Sequence, residues 1–380
     1  MTQIAIIGGG PGGLTLARLL QQKGKQVTVY ERDKNRSVRV QGATLDLHED
    51  SGLAALAAAG LMDAFRQHYR PGADLMRITD AAANILVDDH GQGKSEDRPE
   101  IDRGPLRELL LDSLHPGTVS WDKQFVKMEP AENGWQLEFQ DGHTAYADMV
   151  IGADGANSRI RPYVTEIRPF YSGVTMVEGS VYHPETATPE IAALLKGGKL
   201  FALDGASTLI VSSKGDGSLV FYTGMYLPEN WTKESGIDFN NREQVIQWFS
   251  NAFSSWSPVW HTLAQQATLP LVLRPQYCMP TDQHWEAHSN LTLIGDAAHL
   301  MPPFAGEGVN MAMLDALELS ECLTSGKYTN EAAAIAAYET NMRQRAGEVA
   351  QMTLEQTESM HTEGALERMV AMFSGLPQQI

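Results

Sequence analysis

A glycine-rich loop near the amino terminus constrains the fold more than any other feature of this 380-residue chain. Residues 4–7 and 26–30 read as strands, and residues 14–23 between them read as a helix. The GxGxxG spacing between strand and helix allows a tight turn, a close approach of the backbone to a pyrophosphate, and close helix packing. The helix amino terminus also offers unpaired N–H groups to the phosphates. We therefore expect a dinucleotide to contact Gly8, Gly10, Pro11, Gly12 and Gly13.

The second predicted strand is followed by an acid, Glu31, about twenty residues past the loop. A carboxylate there accepts hydrogen bonds from the hydroxyls of an adenosine ribose. Both NAD and FAD carry that ribose, so the amino-terminal pattern alone leaves the two cofactors open.

Composition excludes several classes of function. The formal net charge of −18 argues against a nucleic-acid partner, which normally needs a basic surface. The two cysteines, Cys278 and Cys322, form neither a disulfide framework nor a metal-ligand pattern, so no metal is expected. No apolar run reaches the roughly 18 residues that a membrane span needs, and no leader precedes the first strand. We expect a monomer in the cytoplasm with no membrane contact.

The remaining pattern predicts a cofactor domain built from separated segments. Strand, turn and strand are expected over residues 74–87, a loop over 88–98, a helix over 105–114 and strands over 119–128 and 135–140. Residues 170–277 are rich in strand patterns, whereas the chain after residue 330 predicts long helices. The predicted domains are 1–72, 96–169 and 276–325 for the cofactor, 73–95 and 170–275 for the substrate, and 326–380 as a helical segment.

Two later motifs decide between the cofactors by resemblance. Residues 150–161 (VIGADGANSRIR) and 291–310 (LTLIGDAAHLMPPFAGEGVN) resemble signature segments of the single-component FAD-dependent aromatic hydroxylases, the para-hydroxybenzoate hydroxylase-like group. The resemblance implies FAD as cofactor and NADPH as co-substrate, with O2 supplying the oxygen inserted into an aromatic substrate. It also implies the following cofactor contacts: Asp154, Gly155, Gly295, Asp296, Pro303, Gly306, Gly308, Val309 and Asn310.

A narrower resemblance concerns the tetracycline-inactivating flavin monooxygenases. It includes residues 40–48 (VQGATLDLH) together with the GDAAHLMPPFAGEGVN segment, and it extends thinly over most of the chain. By this match Arg32, Asp46 and Arg103 contact FAD. The fold class implied is α/β, with a Rossmann-like FAD-binding domain of the glutathione reductase type, an inserted β-sheet substrate domain and C-terminal helices.

The substrate site departs from that narrower family. Tetracycline degraders carry a His, with a Gly two residues on, in a strand where this chain has Val220 and Tyr222. A tetracycline or similar polyketide is the expected substrate, and another aromatic metabolite remains the alternative. The expected substrate contacts are Val220, Tyr222, Met225, Pro302, Phe304 and Gly306, with Phe221 lining the same apolar pocket.

No side-chain acid or base is obligatory for this chemistry, because the flavin performs the difficult step. His299 is therefore expected to pack or cap instead of acting as a base. The C-terminal helices either brace the domains or gate the substrate entrance. Two other functions remain open at this point: a flavoprotein without oxygenase turnover, and a NAD-dependent dehydrogenase, which leaves Asp154 and Asp296 without a role.

Overall fold

A computed structural model describes residues 2–38, 44–91 and 98–374 of the chain. Part of the VQGATLDLH segment (residues 40–43), part of the expected 88–98 loop (residues 92–97) and the last six residues lie outside the described residues.

The chain alternates strands and helices throughout its length. The strands are β1 (Gln3–Ile7), β2 (Gln26–Tyr30), β3 (Leu45–Asp46), β4 (Met76–Thr79), β5 (Ile85–Asp88), β6 (Glu100–Ile101), β7 (Val119–Ser120), β8 (Phe125–Ala131), β9 (Gly134–Phe139), β10 (Thr144–Ala147), β11 (Met149–Gly152), β12 (Phe170–Val181), β13 (Lys199–Asp204), β14 (Ser207–Ser213), β15 (Leu219–Tyr226), β16 (Thr268–Cys278) and β17 (Leu291–Leu293). The helices are α1 (Pro11–Gln22), α2 (Gly52–Ala58), α3 (Met62–His68), α4 (Arg103–Asp112), α5 (Pro184–Ala187), α6 (Pro189–Leu195), α7 (Trp231–Glu234), α8 (Arg242–Ala252), α9 (Pro258–Gln266), α10 (Asp296–His299), α11 (Gly308–Thr324), α12 (Glu331–Met360) and α13 (Ala365–Phe373). Short 3-10 turns occupy Asp89–Gly91, Arg161–Tyr163 and Pro303–Ala305.

A five-stranded parallel sheet forms the first layer, in the order β17-β11-β1-β2-β7. Its strands come from four separated parts of the chain and are mostly apolar, as expected for a parallel sheet buried on both faces. The carboxyl ends of β1, β11 and β17 therefore meet at one edge, which is where parallel α/β sheets bind ligands. The predicted α/β fold class is confirmed.

A seven-stranded sheet forms the second layer, in the order β16-β12-β15-β14-β13-β4-β5. Its strands pair antiparallel except β4 with β13. One face packs against α6, α8 and α9, around a core that includes Phe221, Trp248 and Trp260. The strand, turn and strand expected over residues 74–87 form β4 and β5 of this sheet. Since β16 runs to Cys278, the sheet extends slightly past the expected boundary at residue 275; the domain boundaries themselves stay a prediction.

The single strand expected over residues 119–128 is wrong. The chain forms two short strands there, β7 in the parallel sheet and β8 in a separate antiparallel sheet ordered β10-β9-β8. Asp122 lies between them with a φ of 59°. This left-handed residue turns the chain from one sheet into the other, and the alternating apolar pattern did not indicate the break.

The long helix α12 fastens the C-terminal segment to the parallel sheet. The Tyr338 hydroxyl donates to the carbonyl of Leu293 at 3.0 Å. Glu339, fully buried, accepts hydrogen bonds from Thr292 Oγ1 at 2.7 Å and Trp285 Nε1 at 3.0 Å.

The following helix, α13, packs on the second sheet instead. Its residues Leu366, Met369 and Val370 lie against a cluster that includes Ile78 and Leu203. The C-terminal helices thus contact both sheets. Within the described ranges, each helix is either too short or too polar to cross a bilayer.

Replacing Glu339 should test this attachment. In Glu339→Ala the buried donors of Thr292 and Trp285 lose their acceptor, so we expect a loss of about 3 kcal/mol in the free energy of unfolding, measured by urea denaturation. The exposed Glu348 of the same helix provides the control, and Glu348→Ala should change stability by less than about 0.5 kcal/mol. Equal effects of the two substitutions would contradict this assignment.

Candidate cofactor and substrate site

The glycine loop lies directly against the end of β11. Gly8 has a φ of 116°, and a Cβ at this position would overlap the carbonyl oxygen of Ala153. A Cβ on Gly13 would likewise overlap the carbonyl of Gly8. Pro11 occupies the first turn of α1, where its missing N–H costs nothing. The loop therefore has the tight, side-chain-free form that the glycine spacing predicts.

Gly10 differs from its neighbours because its surroundings are open. It caps α1, no side-chain hydrogen bond caps this helix, and a Cβ would meet no described heavy atom within 4 Å. By contrast, a Cβ on Gly12 would lie 2.9 Å from the carbonyl of Ala312 in α11. The free N–H groups of the first turn of α1 thus face an open space that fits a pyrophosphate.

Glu31 joins the end of β2 to this loop. Its side chain is almost fully buried and accepts hydrogen bonds from the backbone N–H of Gly9 at 2.6 Å and of Asp33 at 2.9 Å. Each carboxylate oxygen keeps a second lone pair for a ribose hydroxyl. Contact of Glu31 with ribose stays a prediction, as does the FAD contact of its exposed neighbour Arg32.

Asp154 has a structural role that its motif did not reveal. Its carboxylate accepts hydrogen bonds from Ser158 Oγ at 2.6 Å and from the backbone N–H of Arg159 at 2.7 Å, which closes the turn after β11. Gly155 follows with a φ of 79° and open space around it. Within this motif, the backbone of Gly155 therefore leaves more room for a cofactor than the engaged Asp154 carboxylate does.

Sequence reasoning missed Arg161, which joins the second motif to the third. The buried Arg161 guanidinium donates to the backbone carbonyls of Asp296 and Ala297, each at 2.6 Å. The two segments are about 135 residues apart, so only their common position in the fold brings them together.

The GDAAH segment is fixed by a buried carboxylate, Asp315 of α11. It accepts hydrogen bonds from the Gly295 N–H at 2.8 Å, the His299 ring at 2.5 Å and the Arg345 guanidinium at 2.7 Å. Burial raises the pKa of Asp315, but the charges of His299 and Arg345 and the hydrogen bonds from His299 and the Gly295 N–H together outweigh this effect and leave the pKa below its usual value. Burial lowers the pKa of His299, and the charges of Asp315 and Asp296 together with the hydrogen bond to Asp315 more than reverse that shift. His299 packs as expected, and α10 is held rigidly against α11 and α12.

Asp296 lies at the other end of α10, within electrostatic range of Arg103 and Arg161. Its side chain is half-buried. Burial raises its pKa, although the positive charges of His299, Arg103 and Arg161 oppose the rise. Its position at the carboxyl ends of the strands suits the predicted contact with a ribityl hydroxyl.

The proline and glycine segment after α10 is tied to β3 by Asn310. The Asn310 side chain is fully buried; it accepts from the His48 N–H at 2.9 Å and donates to the carbonyl of Asp46 at 2.9 Å. The polar side-chain atoms of Asn310 thus connect the two segments, and its predicted contact with FAD stays a prediction. Gly306, with a φ of 73°, leaves room for the Asp46 carboxylate, which a Cβ would approach to 3.0 Å.

The Asp46 carboxylate already has a partner within the protein, the ring of His48. Its carboxylate lies 3.2 Å from His48 Nε2, and Glu307 lies 3.5 Å from the other ring nitrogen. These two acids raise the pKa of His48 to about 9. A cofactor contact of Asp46 stays a prediction.

Arg103 begins α4 and extends into the cleft between the two sheets. Its side chain is exposed to solvent, yet burial is the main reason that its pKa lies below the usual value. Both observations hold when a side chain projects into a deep, water-accessible cleft. Its electrostatic neighbours come from both sheets: Asp296, Tyr222, Glu178 and Arg274. Arg103 therefore lies where the cofactor edge of the parallel sheet faces the second sheet.

The four residues predicted to line a substrate pocket on β15 do not share a face. Val220 and Tyr222 lie on one face of β15, whereas Phe221 and Met225 lie on the other face and pack against the core beneath α8 and α9. Phe221 is fully buried in that core and does not line a pocket with Tyr222, and substrate contact of the partly buried Met225 stays a prediction. The substrate contacts of Val220 and Tyr222 stay a prediction.

Sequence reasoning also missed His361, which connects the proline loop with the second sheet. Its Nδ1 donates to the carbonyl of Thr357 at 2.7 Å, so that Nε2 accepts from Thr208 Oγ1 at 3.1 Å. The ring lies 4.8 Å from that of Phe304, edge to face. Gly224 is required beside it, because a Cβ there would overlap the imidazole. The end of α12 thus holds the partly exposed Phe304 in place, and Pro302, two residues before it, is buried.

Comparison with known proteins identifies the protein family of this chain. Residues 1–187 and 282–353 match the family described as "FAD binding domain". The chain is 31% identical over 371 residues to monooxygenase asqM of Emericella nidulans, covering 84% of this chain and 83% of that protein. It is 29% identical over 382 residues to the 6-hydroxynicotinate 3-monooxygenase of Pseudomonas fluorescens, covering 93% and 91%.

Solved structures agree in fold. Klebsiella pneumoniae HpxO complexed with FAD and uric acid aligns with a TM-score of 0.77 at 22% identity, over 98% of this chain and 93% of that one. Tetracycline destructase Tet(55) aligns with a TM-score of 0.77 at 19% identity, over 100% and 99%.

Substitution of Gly10 tests the pyrophosphate position. Gly10→Ala should raise the dissociation constant for FAD at least about ten-fold, because a methyl group would occupy the space that the phosphates approach. The thermal stability of the cofactor-free protein should stay unchanged, since the new Cβ touches nothing else. Gly12→Ala is the contrasting variant, because it crowds Ala312 and should destabilise the cofactor-free protein. Unaltered FAD affinity in Gly10→Ala, measured by fluorescence titration, would place the phosphates elsewhere.

The ion pair of His299 with Asp315 predicts a pH dependence of stability. The pKa of His299 is higher in the folded protein than its ordinary value of 6.5, so the pair stabilises fully below pH 6.5 and loses this contribution as the pH rises through the folded pKa. The difference in unfolding free energy between wild type and His299→Gln should therefore shrink from pH 6 to pH 9. Exposed His68→Gln serves as the control, with a pH-independent difference. A constant difference for His299→Gln would contradict the assignment.

Proposed function

This chain belongs to the FAD binding domain family of flavin-dependent monooxygenases, and from that premise we propose that it hydroxylates a polycyclic aromatic molecule, first of all a tetracycline or similar polyketide. At the coarser level it is an FAD-dependent aromatic monooxygenase that uses NAD(P)H as co-substrate. When bound, FAD would supply the transfer of electrons from NAD(P)H to O2, so that one oxygen atom would enter the substrate and the other would leave as water.

The residues around the cleft fit FAD by their chemistry. The open first turn of α1 at Gly10 suits the pyrophosphate, Glu31 suits the ribose, and Arg103 with Asp296 suits the flavin and its ribityl chain. The proposed cofactor contacts are Gly8, Gly10, Pro11, Gly12, Gly13, Glu31, Arg32, Asp46, Arg103, Asp154, Gly155, Gly295, Asp296, Pro303, Gly306, Gly308, Val309 and Asn310. The proposed cofactor domain consists of residues 1–72, 96–169 and 276–325.

One observation supports the proposed hydroxylase site most: Arg103 lies within electrostatic range both of Asp296 at the cofactor edge and of Tyr222 and Glu178 on the second sheet. A substrate bound against Tyr222 would lie over the flavin. The sheet would hold it there, while Pro302 and Phe304 would restrict the entry of water. These side chains orient and enclose the substrate, and none of them needs to transfer a proton.

Two substrate classes have support. The resemblance of residues 40–48 and of the GDAAHLMPPFAGEGVN segment to tetracycline-inactivating enzymes, and the full-length structural likeness to Tet(55), favour a tetracycline or related polyketide. The second candidate is a smaller aromatic acid. It is favoured by the relative named 6-hydroxynicotinate 3-monooxygenase, and by Val220 and Tyr222 in place of the His and Gly of tetracycline degraders.

The deciding experiment incubates FAD-loaded protein with NADPH, isotopically labelled O2 and a panel that includes tetracycline, anhydrotetracycline and 6-hydroxynicotinate. We expect mass spectrometry to show a gain of one labelled oxygen on at least one compound, with NADPH oxidation that rises when that compound is present. Reactions without NADPH are the control. Oxygen gain on 6-hydroxynicotinate alone would move the substrate to the second class, whereas no gain on any aromatic compound would refute the proposal.

A further inference from the structure

On the face of the second sheet that lies towards Arg103, one row of side chains crosses the strands. One half of this row differs from the other in polarity. Strand register places Tyr222 between Ile210 on β14 and Glu178 on β12, and Phe201 on β13 continues the row beyond Ile210. Arg274 on β16 pairs with Met176, two residues from Glu178, and therefore lies on the same face. One half of the row is therefore apolar, and the other half carries a phenol, a carboxylate and a guanidinium.

Glu178 holds Arg274 in a fixed orientation. The carboxylate of Glu178 is nearly buried and accepts a hydrogen bond from Arg274 Nε. The Arg274 side chain itself remains 42% exposed. Among the described residues, the two terminal nitrogens of this guanidinium have no hydrogen-bond acceptor. A guanidinium bound through Nε keeps four N–H donors, and these can bind a planar oxyanion in a fork.

The opposite wall of the cleft adds a second positive charge. Arg103 reaches into the same space and is close enough for Arg274 to lower its pKa. The carboxylates of Asp296 and Glu178 formally balance the charges of the two guanidinium groups, and Glu178 already accepts a hydrogen bond from Arg274. An acidic oxygen would therefore be recognised by the unused N–H donors of Arg274 and not by an excess of positive charge.

We propose that Arg274, oriented by Glu178, recognises an acidic oxygen of the substrate, which can be a carboxylate or an ionised enol or phenol. The aromatic ring of the substrate would then lie along Tyr222 and Ile210. This inference rests on the proposed function, since it names the substrate chemistry of the same cleft. Arg274 is a specificity-determining residue, and Glu178 is a positioning residue that acts through it. An aromatic ring with one acidic edge matches the apolar and charged halves of the row.

Benzoate and benzamide test this inference, because they share a ring and differ in charge. Titrating FAD-loaded protein with each probe and following the flavin absorbance should show that benzoate binds at least about ten-fold more tightly. Arg274→Met should abolish the preference, and Arg274→Lys should retain part of it, because a lysine keeps the charge but not the fork. Glu178→Gln should weaken the preference, since Arg274 loses its anchor. Exposed Arg66→Met is the control and should leave it unchanged.

Equal binding of the two probes to the wild-type protein, or no response to either, would overturn the inference without any variant. So would an unchanged preference in Arg274→Met. With a compound that gains oxygen in the panel experiment, Arg274→Met should raise KM at least about ten-fold and change kcat much less. Oxygen gain without a benzoate preference would refute the role of Arg274 alone, and a benzoate preference without oxygen gain would refute the proposed function alone.

Discussion

The close approach of Gly8 to the carbonyl of Ala153 is the constraint on which the site depends. Only a residue without a Cβ fits there, and this contact sets the end of β1 directly against the end of β11. Arg161 then connects the segment after β11 with the carbonyls that follow β17. Three parts of the chain, each short and polar, thereby meet at one edge of the parallel sheet, where helix amino termini and free N–H groups accumulate.

Buried charge keeps this edge rigid. Asp315 binds the Gly295 N–H, His299 and Arg345 at once, and so fixes α10 between α11 and α12. With its partners complete, the buried carboxylate stays ionised despite the cost of burial. The half-buried Asp296 is carried on this rigid support. The acid that holds the framework, Asp315, is thus distinct from the acid that we expect to contact the cofactor, Asp296.

The sequence was most informative about local structure. The strand, glycine loop, helix and second strand at the amino terminus follow from spacing and periodicity, and so do the late strand β17 and the helices after residue 330. The contacts of Arg161, Asp315 and His361 could not be predicted, because each joins elements far apart in the chain. Phe221 was misplaced for another reason: an apolar residue fits either face of a strand, and only pairing partners reveal which face is the core.

The central claim is that these separated segments surround one FAD. A crystal structure of the FAD-loaded protein tests it most directly. We expect the pyrophosphate at the first turn of α1, beside Gly10, and the flavin ring in the cleft that contains Arg103, Asp296 and Tyr222. A flavin bound outside that cleft, or phosphates away from the amino terminus of α1, would contradict the account.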